Sequence, residues 1–322
     1  MTGRMLVGVD GSTGSRRALE WALEEARIRG SRVEAVLVWQ SPYDFPGDFD
    51  FFSPEDDVKL AEGARARLAA AIRETAGARA AEIEPVVVEG DPAQALCERA
   101  EKAELLVVGS RGRGIFARLA LGSVSSKCAH HSPRPVAIVP APDRGDQAMR
   151  APVGRIVVGV DGSPGSLRAL RWALDEGAAR RAVVQVVTVW RAILVDEDTA
   201  TELLNFSTLA QYEQASAETA RKQLEHAIDE AVAGSSLAPE PAAVEPVAVE
   251  GDAAETLCRY AAEADLLVVG ARGRGTFAEL SLGSVSSKCA HHSPRPVVIV
   301  PAEREDPTEE RDRHESAPDV HG

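Results

Sequence analysis

Two clusters rich in glycine and serine recur along the 322-residue chain, each following an apolar run. The first is Val9-Asp10-Gly11-Ser12, repeated as Val160-Asp161-Gly162-Ser163. A carboxylate at the end of a strand accepts hydrogen bonds from a ribose hydroxyl or an adenine amino group. The same residue also reads as a turn former that caps the next helix. The second cluster is split: Gly109-Ser-Arg111-Gly112, nine residues, then Gly122-Ser123-Val124-Ser125. Its repeat is Gly270-Ala-Arg272-Gly273, nine residues, then Gly283-Ser284-Val285-Ser286. Glycine lets a backbone turn tightly and approach a phosphate with no Cβ in the way. A Gly-Ser pair that opens a helix presents free N–H groups and the positive dipole end to an anion. The serine hydroxyls add donors, so the chemistry implied is a phosphate cradle. The competing reading of Arg111-Gly-Arg113-Gly is a flexible basic loop that binds nothing.

Other nucleotide signatures are missing. There is no GxxxxGK[ST] and no GxGxxG after the first strand with an acidic residue about 20 positions on, which argues against a Walker-type loop and a nicotinamide dinucleotide site. Phosphoryl transfer needs Mg²⁺ ligands and a group that positions the nucleophile. Of the carboxylates that recur in both copies, Asp10/Asp161 stand at a strand end, and Asp91/Asp252 read as helix caps. No catalytic residue is assigned. Cys97, Cys128, Cys258 and Cys289 lack metal-ligand spacing and read as buried, reduced cysteines. The Cys-Ala-His-His segments ending at His131 and His292 fall in the last turn of short helices, where histidine is favoured for reasons other than metal. Trp21 and Trp172 read as packing against a sheet. Lys127 and Lys288 are left outside the site.

The elements that position these residues follow from an internal duplication. Leu6–Leu23 reappears from Val157, LLVVG at Leu105 reappears at Leu266, and GSVSSKCAHHSPRPV is identical at Gly122–Val136 and Gly283–Val297. The period is far too long for a solenoid and indicates two domains: 1–140 and 155–302, a linker at 141–154, and a tail at 303–322 too polar to order itself. Within the first copy, strands are expected at Arg4–Val9, Val33–Trp39, Ile83–Val88, Leu105–Val108 and Val136–Val139. Helices are expected at Ser12–Arg29, Glu55–Arg79, from Asp91 to Ala100, and from about Ser123 to His130. Apolar strands alternating with helices specify a doubly wound α/β domain, a five-stranded parallel sheet covered on both faces. Ligands in such sheets sit beyond the strand carboxyl ends, where the strand order switches.

Hydrophobic residues make up 44%, charged residues 27%, and the formal net charge is −14. That balance argues against bulk binding to nucleic acid or to an anionic membrane surface. No apolar run approaches the roughly 20 residues of a membrane span, and the amino terminus lacks the layout of a signal peptide. A cytoplasmic location is the expectation.

The spacing G-x2-G-x9-G-[ST], after LLVVG and before a strand ending in Val-Pro, resembles the ATP-binding branch of the universal stress protein family. The resemblance covers Arg4–Pro140 and Arg155–Pro301. It implies an adenine nucleotide α-hydrolase-like fold and ATP, with Mg²⁺, as ligand. By position, Val9, Asp10 and Val38 would hold the adenosine end, and Gly109, Arg111, Gly112, Gly122, Ser123, Val124 and Ser125 the phosphates. The second copy offers Val160, Asp161, Val189, Gly270, Arg272, Gly273, Gly283, Ser284, Val285 and Ser286. The family's fifth strand commonly pairs with that of another domain, which implies pairing of Val136–Val139 with Val297–Val300 or a homodimer. The function implied is a nucleotide-dependent regulator of stress or dormancy, with an unidentified protein partner. A slow ATPase, a dimerisation module and a cyclic AMP binder are the alternatives. The loops Ser41–Pro54 and Arg191–Phe206 differ in length and character, so equal affinity of the two pockets is not expected.

Overall fold

A computed structural model describes residues 3–41, 54–112, 121–141, 154–191, 206–233, 243–273 and 282–302. Most of the expected linker, the tail, Arg113 and the interiors of the loops after Ser41 and Arg191 lie outside the described residues. The first copy runs β1 (Arg4–Gly8), α1 (Thr13–Arg29), β2 (Arg32–Trp39), α2 (Pro54–Ala76), β3 (Ile83–Glu89), α3 (Pro92–Ala100), β4 (Leu105–Gly109), α4 (Ser123–His131) and β5 (Val136–Val139). The second repeats it as β6 (Arg155–Gly159), α5 (Pro164–Arg180), β7 (Val183–Trp190), α6 (Phe206–Ala233), β8 (Ala243–Glu250), α7 (Ala253–Ala261), β9 (Leu266–Gly270), α8 (Ser284–His292) and β10 (Val297–Val300).

The ten strands form one sheet in the order β3-β2-β1-β4-β5-β10-β9-β6-β7-β8. Within each copy every pairing is parallel, whereas β5 and β10 pair antiparallel, with Val298 opposite Ala137. The order switches between β1 and β4, and between β6 and β9. Alternation along the strands divides the core into two layers. Met5, Val7, Leu105 and Val107 face the side covered by α1 and α2, where Leu19 and Leu68 are buried. Leu6, Leu106 and Val108 face α3 and α4, where Leu96 and Cys128 are buried. Both layers continue through the second copy. Trp21 is buried in the first layer, and Trp172 packs against it.

One element departs from expectation. The helix opened near Glu55 ends at Ala76, three residues before Arg79, because Gly77 takes a left-handed φ of 54°. A 3-10 turn, Gly77–Glu82, then leads into β3. Left-handed glycine is a common helix terminator.

Helices α1 and α5 meet beside the seam between the copies, and four charged side chains lie at their contact. Arg29 binds Glu25 at 2.8 Å and reaches Glu176 on the other helix. Arg180 pairs with Glu176 and crosses to Glu25. The two carboxylates are almost fully buried, at 1% and 3% side-chain exposure, so the arginines and each other, not water, set their ionisation. The Arg29 guanidinium also lies over the Trp172 ring, 5.0 Å from its centroid. Burial, and then the charge of Glu176, push the Glu25 carboxyl up to about 7. Burial opposes ionisation of Glu176 as well, but the Glu25 hydrogen bond and the Arg29 and Arg180 charges hold it below its ordinary value. Below about pH 7 Glu25 therefore carries the proton of the pair, and Glu176 is the ionised partner.

A carboxyl raised on folding contributes stability that is complete below its ordinary value and is lost as pH climbs through its folded value, here about 7. Glu176, held low, contributes above its ordinary value and loses that contribution on acidification. Glu25→Gln keeps a donor toward Glu176 without the titration. It is expected to flatten the fall in unfolding temperature between roughly pH 5 and pH 8, as read by thermal scans across that range. A variant whose unfolding temperature still falls in parallel with the parent would assign the dependence to other groups.

Candidate functional site

At the switch point between β1 and β4 lies an open cavity of about 430 Å³, and its counterpart between β6 and β9 measures about 390 Å³. The first cavity brings together Val9, Asp10, Val38, Gly109, Arg111, Gly112, Gly122, Ser123, Val124 and Ser125. The second gathers Val160, Asp161, Val189, Gly270, Arg272, Gly273, Gly283, Ser284, Val285 and Ser286. Residues not singled out from the sequence complete the walls, among them Ser15, Val36, Pro92 and Leu96 in the first copy. Ser15 carried a signal in the repeated G-S-x-G-S string; Val36 and Leu96 are ordinary core residues and Pro92 opens α3, and only the fold reveals their position beside a cavity.

The β1 side is built by a turn. Asp10 Oδ1 accepts the Ser12 N–H at 2.9 Å, and the Ser12 hydroxyl caps α1 by accepting from the Ser15 N–H at 3.1 Å. Capping of α1 therefore falls to Ser12, while Asp10 holds the turn and keeps a second carboxylate oxygen beside Gly112. A Cβ on Gly112 would stand 2.8 Å from Asp10 Oδ2, and one on Gly273 would stand 2.5 Å from Asp161 Oδ2. The glycine leaves the carboxylate its room.

The β4 side explains the spacing of the glycine motif. The Gly122 N–H donates to the Ser110 carbonyl at 2.8 Å, and the Ser125 hydroxyl donates to the Gly109 carbonyl at 2.6 Å. The second copy repeats both contacts, from Gly283 N–H to the Ala271 carbonyl and from the Ser286 hydroxyl to the Gly270 carbonyl. These bonds staple the two ends of the loop together. The Ser125 and Ser286 hydroxyls are thus occupied internally, leaving Ser123 and Ser284 as the exposed hydroxyls at the helix start. Helices α1, α3, α5 and α7 are capped by Ser12, Asp91, Ser163 and Asp252. Helices α4 and α8 begin at Gly122 and Gly283 with no side-chain cap, so their first-turn N–H groups open on the cavities.

Asp91 and Asp252 are caps: Asp91 accepts from the Ala93 and Gln94 N–H groups, and Asp252 from those of Ala254 and Glu255. The Gln94 N–H, with help from Lys127 at 3.3 Å, holds the Asp91 carboxyl below the usual range. At the mouth of the second cavity Arg191 replaces Gln40; it pairs with Asp252 and donates to the Gly251 carbonyl at 3.2 Å. Lys288 lies 3.9 Å from the same carboxylate. Among the described residues no group of three or more His, Cys, Asp or Glu is placed to hold a metal ion. His130 instead accepts the Leu282 N–H at 3.0 Å, so the first copy supports the rim of the second copy's cavity.

Two parallel-sheet domains of one chain, each with a helix amino terminus and a turn carboxylate on opposite sides of a switch-point cavity, define a doubly wound α/β protein with two matching cavities. Comparison with known proteins narrows the class. The model of the universal stress protein family matches residues 1–140 and again 152–301, and the chain belongs to that family. Universal stress protein Rv2005c of Mycobacterium tuberculosis is 31% identical over 303 residues, covering 92% of this chain and 96% of the relative. A universal stress protein of Mycolicibacterium smegmatis is 29% identical over 304 residues, with 92% and 96% covered. The crystal structure of a universal stress protein from Archaeoglobus fulgidus superposes with a TM-score of 0.62 at 22% identity, covering 94% of this chain and 98% of that one. Among the described residues no helix is long and apolar enough to cross a membrane.

The motif's glycines differ in what they do. A Cβ on Gly109 would lie 2.6 Å from the Gly14 carbonyl carbon, whereas one on Gly122 would meet nothing closer than 3.4 Å. Gly109→Ala is therefore expected to destabilise the chain by about 1–3 kcal/mol through backbone displacement, and Gly122→Ala to be near neutral. Denaturant unfolding of the two variants checks this, and equal costs would contradict the close approach of α1 to β4.

Proposed function

We propose that both cavities bind ATP with Mg²⁺, and that occupancy makes the chain a nucleotide-dependent regulator in stress or dormancy. The observation that carries the reading is the uncapped first turn of α4 and α8, facing a cavity whose opposite side holds Asp10 or Asp161. The phosphates sit on the N–H groups of Ser123, Val124 and Ser125, favoured by the helix dipole, with Gly109, Arg111 and Gly112 lining the cavity around them. The Asp10 carboxylate, whose Oδ2 lies beside Gly112, takes the ribose or adenine donors, with Val9 and Val38 as apolar walls. Arg272 and Asp161 play the matching parts in the second copy. Cavities of about 400 Å³ fall within the range of small-molecule sites. Mg²⁺ carried by the nucleotide would neutralise part of the phosphate charge beside the Ser123 and Ser284 helix starts.

Thermal unfolding of the full chain with ATP–Mg²⁺, with cyclic AMP and GTP alongside, tests the reading. Ligand at 100 times its Kd stabilises a protein by about 2.7 kcal/mol, a shift of several degrees. In a Ser123→Glu, Ser284→Glu double variant the new carboxylates suit the helix starts, so the ligand-free protein keeps its stability while the ATP shift disappears. No shift at millimolar ATP removes the proposal. A shift with cyclic AMP alone reassigns the ligand, and a shift that survives the double variant moves the phosphates elsewhere. Release of ADP during incubation would convert the binding protein into a slow ATPase.

A further inference from the structure

Each copy brings together two cysteines that line neither cavity. Cys97 on α3 stands beside Cys128 on α4, and Cys258 on α7 beside Cys289 on α8; the helices of each pair pack directly on one another. The Cys128 thiol donates a hydrogen bond to the Cys97 sulfur, and the Cys289 thiol to that of Cys258. None of the four is in a disulfide; the inner cysteine of each pair is buried and the outer one half-buried.

The outer cysteine has been kept where its helix has not. Between Pro92–Ala100 and Ala253–Ala261, five of nine residues differ. The four retained are Ala93, Leu96, Cys97 and Ala100 with their counterparts. Three of these are buried core positions in both copies; only the cysteine reaches solvent.

The two sulfurs of a pair are also unlike. The hydrogen bond from Cys289 draws Cys258 below the usual thiol range, against the opposing effect of burial. Cys128 and Cys289 are pushed up, first by the bonds they donate, then by burial, and also by Asp91 or Asp252. Each site thus places a half-buried sulfur in front of a buried, protonated one, and in the second copy the outer sulfur is also the more readily ionised.

We propose that Cys97–Cys128 and Cys258–Cys289 are two reversible dithiol–disulfide sites whose oxidant is a hydroperoxide. The outer thiolate attacks the peroxide's terminal oxygen; the O–O bond breaks and the leaving oxygen departs as water or an alcohol after taking a proton. The resulting sulfenic acid is attacked by the inner sulfur, which releases its proton as the S–O bond breaks. A disulfide forms and one water leaves, so two thiols and one hydroperoxide become a disulfide, water, and water or alcohol. This bond ties α3 to α4, which supply Leu96 and Val124 to the cavity wall. The inference does not depend on what the cavity binds.

The test treats the full chain with hydrogen peroxide, then counts free thiols after denaturation and maps disulfides by peptide mass. Titratable thiols are expected to fall from four to none. Each domain should lose two hydrogens in mass, with Cys97 joined to Cys128 and Cys258 to Cys289, and dithiothreitol should restore all four thiols. Cys258→Ser should leave Cys289 as the one remaining thiol while the Cys97–Cys128 bond still forms. Four persisting thiols, sulfinic or sulfonic acids at the outer positions, or cross-links between chains would each overturn the proposal.

Discussion

A four-residue strand at the edge of a parallel sheet exposes a row of backbone donors and acceptors, and β5 and β10 are two such strands. Pairing them antiparallel satisfies both rows at once and turns two five-stranded sheets into one of ten. Much else hangs on that pairing. It buries Val136–Val139 and Val297–Val300 completely and joins both core layers across the seam. It also brings α1 against α5 and sets His130 under the rim of the second cavity. The palindromic strand order leaves the two switch points on opposite sides of the seam, each with its own cavity.

The charged cluster beside the seam specifies more than it stabilises. Removing two carboxylates from water costs several kcal/mol each, and ion pairing returns little beyond that cost. An arrangement in which each arginine binds one glutamate of either helix is satisfied only when α1 and α5 meet in one relative position. A slipped seam would strand buried charges, so the cluster discriminates against misalignment that the uniformly aliphatic strands would tolerate.

The architecture was legible because its signals are local and doubled. Apolar strands alternate with helices, Asp91 announces its helix start, and near-identical segments mark the duplication. The ten residues expected at each site do gather around one cavity, since the motif residues sit at strand ends that the topology brings together. What escaped depends on contacts distant in sequence. Glu25 and Arg29 look like an ordinary exposed helical pair until the second copy covers them. Gly109 read as a residue making room for phosphate, yet its neighbour is the backbone of Gly14. The Ser125 hydroxyl read as a ligand donor, and it closes the loop instead. The end of α2 was misjudged by three residues because an alanine-rich stretch outweighed the single terminator Gly77.

Arg191 in place of Gln40, and a His130 contact to Leu282 where His291 turns back on its own helix through the Ser287 carbonyl, have a consequence for how such a protein changes over generations. When two identical chains assemble, every mutation is made twice and both sites inherit it together. Fusion into one chain breaks that bond between the copies. One cavity can drift toward a new ligand or a new set point while its twin continues the old task, and the shared sheet keeps the innovator folded in the meantime.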